Sequence, residues 1–365
     1  MAFDFPASPT DGTIYIPAGG PQYQYSGGAW RVASSSVPIA TAQARNRIVN
    51  GAMQVSQETG NTAGTTSGYF AADQWSAAFV TTGAVSFQRV QVATPNGSRN
   101  RLRLTVTTAD TSLAATEYCQ IYQSIEGTRV ADFGYGAAGA RQTVLRFGFK
   151  GPAGTYGVSV RNGDTTRSYI TSFVISAGQA NTDTEQAFVI PGDVTGTWPV
   201  DTSRAYIVTV AIAGGANQVG VAGWQAGGLT TLASATNGLA TVNNTFELFD
   251  VSLHLDPLNT GIAPPWTLPD EAQEFATCQR YLEYIDGLNI YQYGNGGTTT
   301  MNPCPFKVMK RVSPAVTIAG WATTANVTAQ TPYNTSVYMT NIGVNVVANG
   351  VADMRGIVAA VSARM

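Results

Sequence analysis

The chain is 365 residues long, 44% hydrophobic and 10% aromatic, yet charged residues make up only 12% and the formal net charge is −2. With charge at about half the ~25% usual for soluble domains and Lys confined to Lys150, Lys307 and Lys310, there is no basic cluster of the kind nucleic-acid binding needs. No run of ~18 apolar residues could span a bilayer and no basic-then-apolar leader opens the chain, so membrane insertion is not expected and folding in a cytoplasm is.

Gly, Thr, Ser, Asn and Ala take the places that Lys and Glu usually fill, which suits exposed sheets and tight turns, so the expectation is an all-β protein. In "GTIYIPAGGPQYQYSGGAWRV", alternating Ile and Tyr are broken by Gly pairs, which predicts a β-hairpin module over 1–36. A linker follows over 37–45. Residues 46–257 form the body. There "RNRLRLTVTT" sets Leu102, Leu104 and Val106 against Arg101, Arg103 and Thr105, and "VRNGDTTRSY" carries a hairpin turn at Asn162-Gly163-Asp164. Many strands without a long helical pattern predict a β-sandwich of the jelly-roll kind.

The connector, 258–288, breaks the pattern. "EFATCQRYLEYI" places Phe275, Cys278, Leu282 and Ile285 at helical spacing. Thr267 with Asp270 reads as a capping box, Pro269 sits in the first turn and Gly287 serves as a stop, giving one α-helix over about 269–286. A stripe this narrow needs a partner, and those four residues are expected to pack on the body and on symmetry mates. Residues 289–365 return to β texture and end on an alternating strand. Cys119, Cys278 and Cys304 match no metal or redox spacing and read as free buried thiols, with an interchain disulfide as the alternative.

Several stretches, in this order, resemble fibre and tail proteins of tailed phages and prophages. They are "FPASPTDG…YQYSGGAWR", "NRIVNGAMQVSQETGNTAG" with "YFAADQWSAAF", "YQSIEGTRVADFGYGAAGARQTVLRFGFKGPAGTYGVSVRN", "FDVSLHLDPLNTGIAPPW", "EFATCQRYLE" and "FKVMKRVSPAVTI". The chain departs from that pattern at Ser252-Leu253-His254, where the family reads "QLE", and at Met309-Lys310-Arg311, where it opens with "M-R". The resemblance implies a virion structural protein, usually a homotrimer, with a central carbohydrate-binding-like jelly roll that attaches to bacterial surface polysaccharide. The N-terminal module would join it to other virion proteins. The alternative is a purely structural fibre of neck, collar, head or baseplate.

Enzymatic chemistry has few footholds. In "LFDVSLHLDP", alternation puts Asp250, Ser252, His254 and Asp256 on one face, and His254 is the single histidine. Strand neighbours at i, i+2 and i+4 spread out along the strand rather than converge, so the strip is expected to face solvent or another subunit. Asp73, Glu117, Glu126, Asp132, Asp193 and Asp201 supply carboxylates, but the sequence pairs none of them as glycan cleavage requires. No cofactor and no metal is expected, although "GQANTDTEQ" and "NGDTT" offer oxygen ligands for a structural Ca²⁺. Binding sugar needs less: an aromatic platform beside fixed donors. Candidates are Tyr69 and Asp73, Trp198 with Asp193 and Asp201, and Arg161 with Asn162 at the hairpin tip, while Trp75 reads as a core anchor.

Overall fold

The computed structural model describes residues 5–15, 23–32 and 45–365; of the predicted 37–45 linker, all but Arg45 lies outside them. Two compact units emerge, 1–45 and 46–365. In the first, strands Ile14–Tyr15, Tyr23–Ser26 and Ala29–Val32 form one antiparallel sheet. Alternation sends Tyr15, Tyr23, Tyr25 and Trp30 into one aromatic cluster with Phe5, which stacks on Trp30 at 5.3 Å.

The second unit begins with the sandwich. Its larger sheet has the order Gly223–Ala226, Arg167–Ile175, Gly154–Asn162, Arg204–Gly214, Tyr118–Glu126, Trp75–Val80, Phe70–Ala72. The smaller runs Thr184–Ile190, Thr143–Lys150, Thr245–Leu255, Arg101–Thr108, Ala84–Val90. All strand pairings in both sheets are antiparallel. The chain crosses repeatedly from one sheet to the other, which is jelly-roll connectivity. The core follows from alternation: Leu102, Leu104 and Val106 face Ile121, Tyr156, Val158, Val208 and Val210 across the gap, all buried. Each large apolar side chain removed from water there contributes about 1.5–3 kcal/mol.

Gly163 is fixed by contact. A Cβ on it would lie 1.8 Å from the Arg204 carbonyl, so the predicted hairpin turn packs too closely for any other residue.

The connector differs from expectation. The helix spans Glu271–Gln279 only, and its N-cap is Asp270, which accepts from the Gln273 amide at 2.9 Å, so Thr267 caps nothing. Leu282 and Ile285 belong instead to the strand Leu282–Gly294. The chain turns at 280–281 because Arg280 is drawn onto Glu126 and Tyr281 is buried with Cys278, Val49 and Val55. Gly287 has a positive φ of 75° but marks an irregularity in that strand, not a helix stop.

The polar strip of "LFDVSLHLDP" does not face solvent either. Asp250, Ser252, His254 and Asp256 are all buried, and a bulge with Asp250 at φ 51° breaks the alternation. Segment 46–53, which opens the second unit, runs along it: the Val251 amide donates to Gly51 O and the Arg47 amide to Leu253 O.

Residues 282–362 fold into two further sheets. Gly350–Ser362 pairs with Leu282–Gly294, Ala315–Gly320 and Thr323–Ala325, so the last strand is tied in as expected. Thr299–Pro305, Met339–Val346 and Val327–Tyr333 make the second sheet, over a core of Ile290, Ile342, Val344, Met354 and Ile357. Buried Lys310 locks this lobe to the connector through Glu283 Oε2 and Gln279 O, both at 2.5 Å. Arg311 reaches Thr202 O in the sandwich at 2.6 Å. The stretches quoted from the connector and from "FKVMKRVSP" thus meet in one joint.

Candidate functional site

Alternation in the larger sheet decides which residues leave the core. Cys119, Ile121 and Ile125 point inward, so Tyr118, Gln120, Tyr122 and Ser124 point outward; likewise Ser159 and Arg161 stand opposite Val158 and Val160, and Thr209 opposite Val208 and Val210. Register lines these up across strands. Ser168 pairs with Arg161, Arg161 with Ile207, and Ile207 with Ser124. In the next row Ser159 pairs with Thr209 and Thr209 with Tyr122. The result is a polar outer face, closed at one end by the 230–231 segment, whose backbone would meet a Cβ on Gly157 at 2.8 Å.

This face has unmet hydrogen-bonding capacity. Gln120 Oε1, Ser124 Oγ, Ser159 Oγ, Ser168 Oγ and Arg161 Nε are buried with no hydrogen-bond partner among the described residues. Burial without a partner is costly for each such group, and native proteins keep few of them. Arg161 itself is 9% exposed and makes one side-chain bond, Nη2 to Thr209 Oγ1 at 3.0 Å. Burial lowers its pKa to about 10, and the like charge of Arg204 pushes the same way, opposed by Tyr122 and Tyr118. Tyr118 and Tyr122 are half-buried on this face. The strands of this sheet contribute one carboxylate, Glu126, which accepts from Arg280 Nη2 at 3.1 Å and from Thr128 Oγ1.

Of the sequence candidates, Arg161 lies at the centre of this face and Asn162 at its margin. Asn162 is fully buried and holds the hairpin, accepting from the Arg167 amide at 2.9 Å and donating to Thr197 O at 3.2 Å. Asp193 accepts from Oγ1 of Thr195, the residue whose carbonyl holds Trp198, and is locked in a two-point ion pair with Arg167 at 2.8 Å. Trp198 is half-buried, donates Nε1 to Thr195 O at 3.0 Å, and meets Tyr135 and Trp224 edge-on. Asp201 accepts from the Ser203 amide in a separate turn. Tyr69 donates to Thr62 O at 2.7 Å and fills the space over Gly64. Asp73 is buried and holds Gln57 Nε2 at 2.5 Å; burial raises its pKa, with Gln57 opposing. Trp75 is buried in the core as expected, with Nε1 donating to Asn50 O.

The remaining carboxylates are also engaged within the fold. Asp132 binds Arg47 at 2.7 Å, and Glu117 accepts from the Thr82 and Ala114 amides. Among the described residues, no cluster of three or more His, Cys, Asp or Glu could hold a metal. Asp183, from the first candidate Ca²⁺ segment, binds Arg101, and Asp164, from the second, binds Thr166. Cys119, Cys278 and Cys304 are free, buried thiols. Of the four interface candidates, Phe275 is 40% exposed, Cys278 and Leu282 are buried within the chain, and Ile285 packs on the C-terminal core. They do not form one helical face.

A cleft of about 720 Å³ lies between the Ala84–Val90 edge strand and the start of the helix, lined by Gln54, Arg89, Arg99, Asn100, Asp270 and Glu271. Arg89 is fixed there by Asn61 Oδ1 at 2.9 Å and Gln54 O at 2.7 Å. Arg99, Asp270 and Glu271 stand exposed to water, so the cleft leaves less polar capacity unmet than the sheet face.

Tyr118, Tyr122, Ser124, Ser159, Ser168 and Thr209 escaped the sequence reading. The alternation in "EYCQIYQSIEG" marks the first three as one face, but nothing in the sequence sets that strand in register with Arg161.

No family model matches the chain, and no curated protein matches it. Among solved structures, similar ones include the enzymatically active domain of bacteriophage CBA120 tailspike protein 4, at 14% identity over 58% of this chain and 21% of that one, TM-score 0.33. An arabinose-bound α-L-arabinofuranosidase matches at 14% identity over 64% of this chain and 30% of that one, TM-score 0.34. TmCBM61 in complex with β-1,4-galactotriose matches at 12% identity over 58% of this chain and 100% of that one, TM-score 0.30. The chain spans less than a third of the first two proteins.

Proposed function

We propose that the protein is a non-enzymatic phage virion fibre protein of the receptor-binding type, which attaches to bacterial surface glycan through the outer face of its larger sheet. The observation that carries this reading is the set of buried, unpartnered polar atoms around Arg161, flanked by Tyr118 and Tyr122. Sugar hydroxyls donate and accept together, and their C–H faces stack on tyrosine rings, so a glycan meets both demands of the surface at once. The ordered resemblance of the sequence stretches to phage fibre proteins supports the virion setting. It also supports a homotrimer joined to other virion proteins through the N-terminal module. In a trimer, three tethered sites of modest affinity would act together and raise the effective concentration.

The test is retention of purified protein on polysaccharides from bacterial envelopes. Specific retention, lost in a Tyr118→Ala/Tyr122→Ala double variant that still melts cooperatively, is expected. Normal particle assembly with no retention would instead favour a purely structural fibre. Release of sugar fragments would identify a depolymerase.

A further inference from the structure

Resting on that glycan reading, we infer that the glycan is acidic, and that a carboxylate or phosphate group of its repeating unit sits against the Arg161 guanidinium. Arg161 is a buried cation facing outward from a sheet whose strands supply one carboxylate, and that carboxylate, Glu126, is taken by Arg280 and Thr128. Every other buried arginine or lysine in the sandwich and joint meets an acid: Arg47 with Asp132, Arg101 with Glu247 and Asp183, Lys310 with Glu283. Arg161 has Thr209 Oγ1 alone, its Nε is unmet, and the charged side chain acting on it is another cation, Arg204.

A neutral sugar would leave the buried positive charge uncompensated. An anionic oxygen pair compensates it, because the planar guanidinium donates to carboxylate and phosphate at two points. Ser168 pairs in register with Arg161, and Ser159 lies two residues back on the same face of its strand; both hydroxyls are buried and unpartnered among the described residues.

The experiment uses the full chain and a panel of bacterial surface polysaccharides, neutral and acidic. Each acidic one is also presented after carboxyl reduction and, separately, after removal of phosphate esters. Retention is expected on acidic polymers, falling at least about tenfold on whichever treatment removes the anion, which distinguishes carboxylate from phosphate. Arg161→Gln should give the same loss while melting like the parent, and Arg161→Lys should keep part of the affinity, since charge survives but the fork does not. Raising salt should weaken retention by the parent and leave residual binding by Arg161→Gln unchanged.

Equal retention of neutral and acidic polymers, or an Arg161→Gln variant that binds like the parent, would overturn the inference and leave glycan attachment standing. An Arg161→Gln variant that changed only the oligomeric state would overturn it too, placing a neighbouring copy's acid at this position. No retention on any polysaccharide would overturn attachment itself.

Discussion

The outer faces of the two sandwich sheets handle charge in opposite ways. On the smaller sheet, Arg101 and Arg103 project from one strand and both meet Glu247 on the next; Arg101 also holds Asp183 at two points and lies 4.4 Å from the centre of the Phe249 ring. Arg146 and Glu185 pair farther along the same face. On the larger sheet, Arg161 has no acid among the described residues, and the Ser124, Ser159 and Ser168 hydroxyls near it have no partners there. Both faces are built by the same alternation, and both bury arginine. The smaller sheet pairs its buried arginine with acids of its own fold, whereas the larger leaves its buried arginine without one among the described residues, and the proposed attachment rests on that difference.

The largest effect should come from breaking the self-sufficient face. Glu247→Ala takes the acid from Arg103 and one of the two acids from buried Arg101, which keeps Asp183, and should cost about 2–4 kcal/mol in denaturant unfolding. A loss below about 1 kcal/mol would mean that this network is not what holds the face. Next, Arg280→Ala should cost about 1–3 kcal/mol because Glu126 is buried and loses its cation. The same variant should also weaken retention of acidic polymers, since the freed carboxylate repels them.

Arg161→Leu is the sharpest contrast. Removing a buried cation without an acid should leave stability within about 1 kcal/mol of the parent or raise it, while glycan retention is lost. Marked destabilisation would assign Arg161 to the fold. The smallest effect concerns Glu185, whose pKa is lowered by its hydrogen bond from Asn96 and by Arg146, with burial opposing. Its contribution is therefore full above the ordinary value of 4.5 and is lost as pH falls through the lower folded value. With Glu185 largely exposed, Arg146→Ala should reduce the stability lost on the acid side by no more than about 1 kcal/mol.

Much of the fold was legible because period-2 alternation is local. "RLRLTVTT" separated the core face from the outer face, although Arg101 on the outer face is buried by its acids, and Asn162-Gly163-Asp164 marked the hairpin. The helix was overextended because Phe275, Cys278, Leu282 and Ile285 share a helical spacing that two consecutive elements also satisfy. What ends the helix is tertiary: Arg280 reaching Glu126, far away in sequence. The polar strip around His254 was assigned outward because a bulge cannot be read from alternation, nor can the covering segment 46–53. Arg161 could be nominated from its hairpin, but its lack of an acid depends on strand order and register.

Amide hydrogen exchange with and without a retained polysaccharide tests the central claim most directly, since it compares the two sheets in one molecule. Added protection should be confined to Tyr118–Glu126, Gly154–Asn162 and Arg204–Gly214, with Thr143–Lys150 and Arg101–Thr108 unchanged. Protection on the smaller sheet, or at the cleft beside the Glu271–Gln279 helix alone, would contradict the assignment of the Arg161 face as the site of attachment.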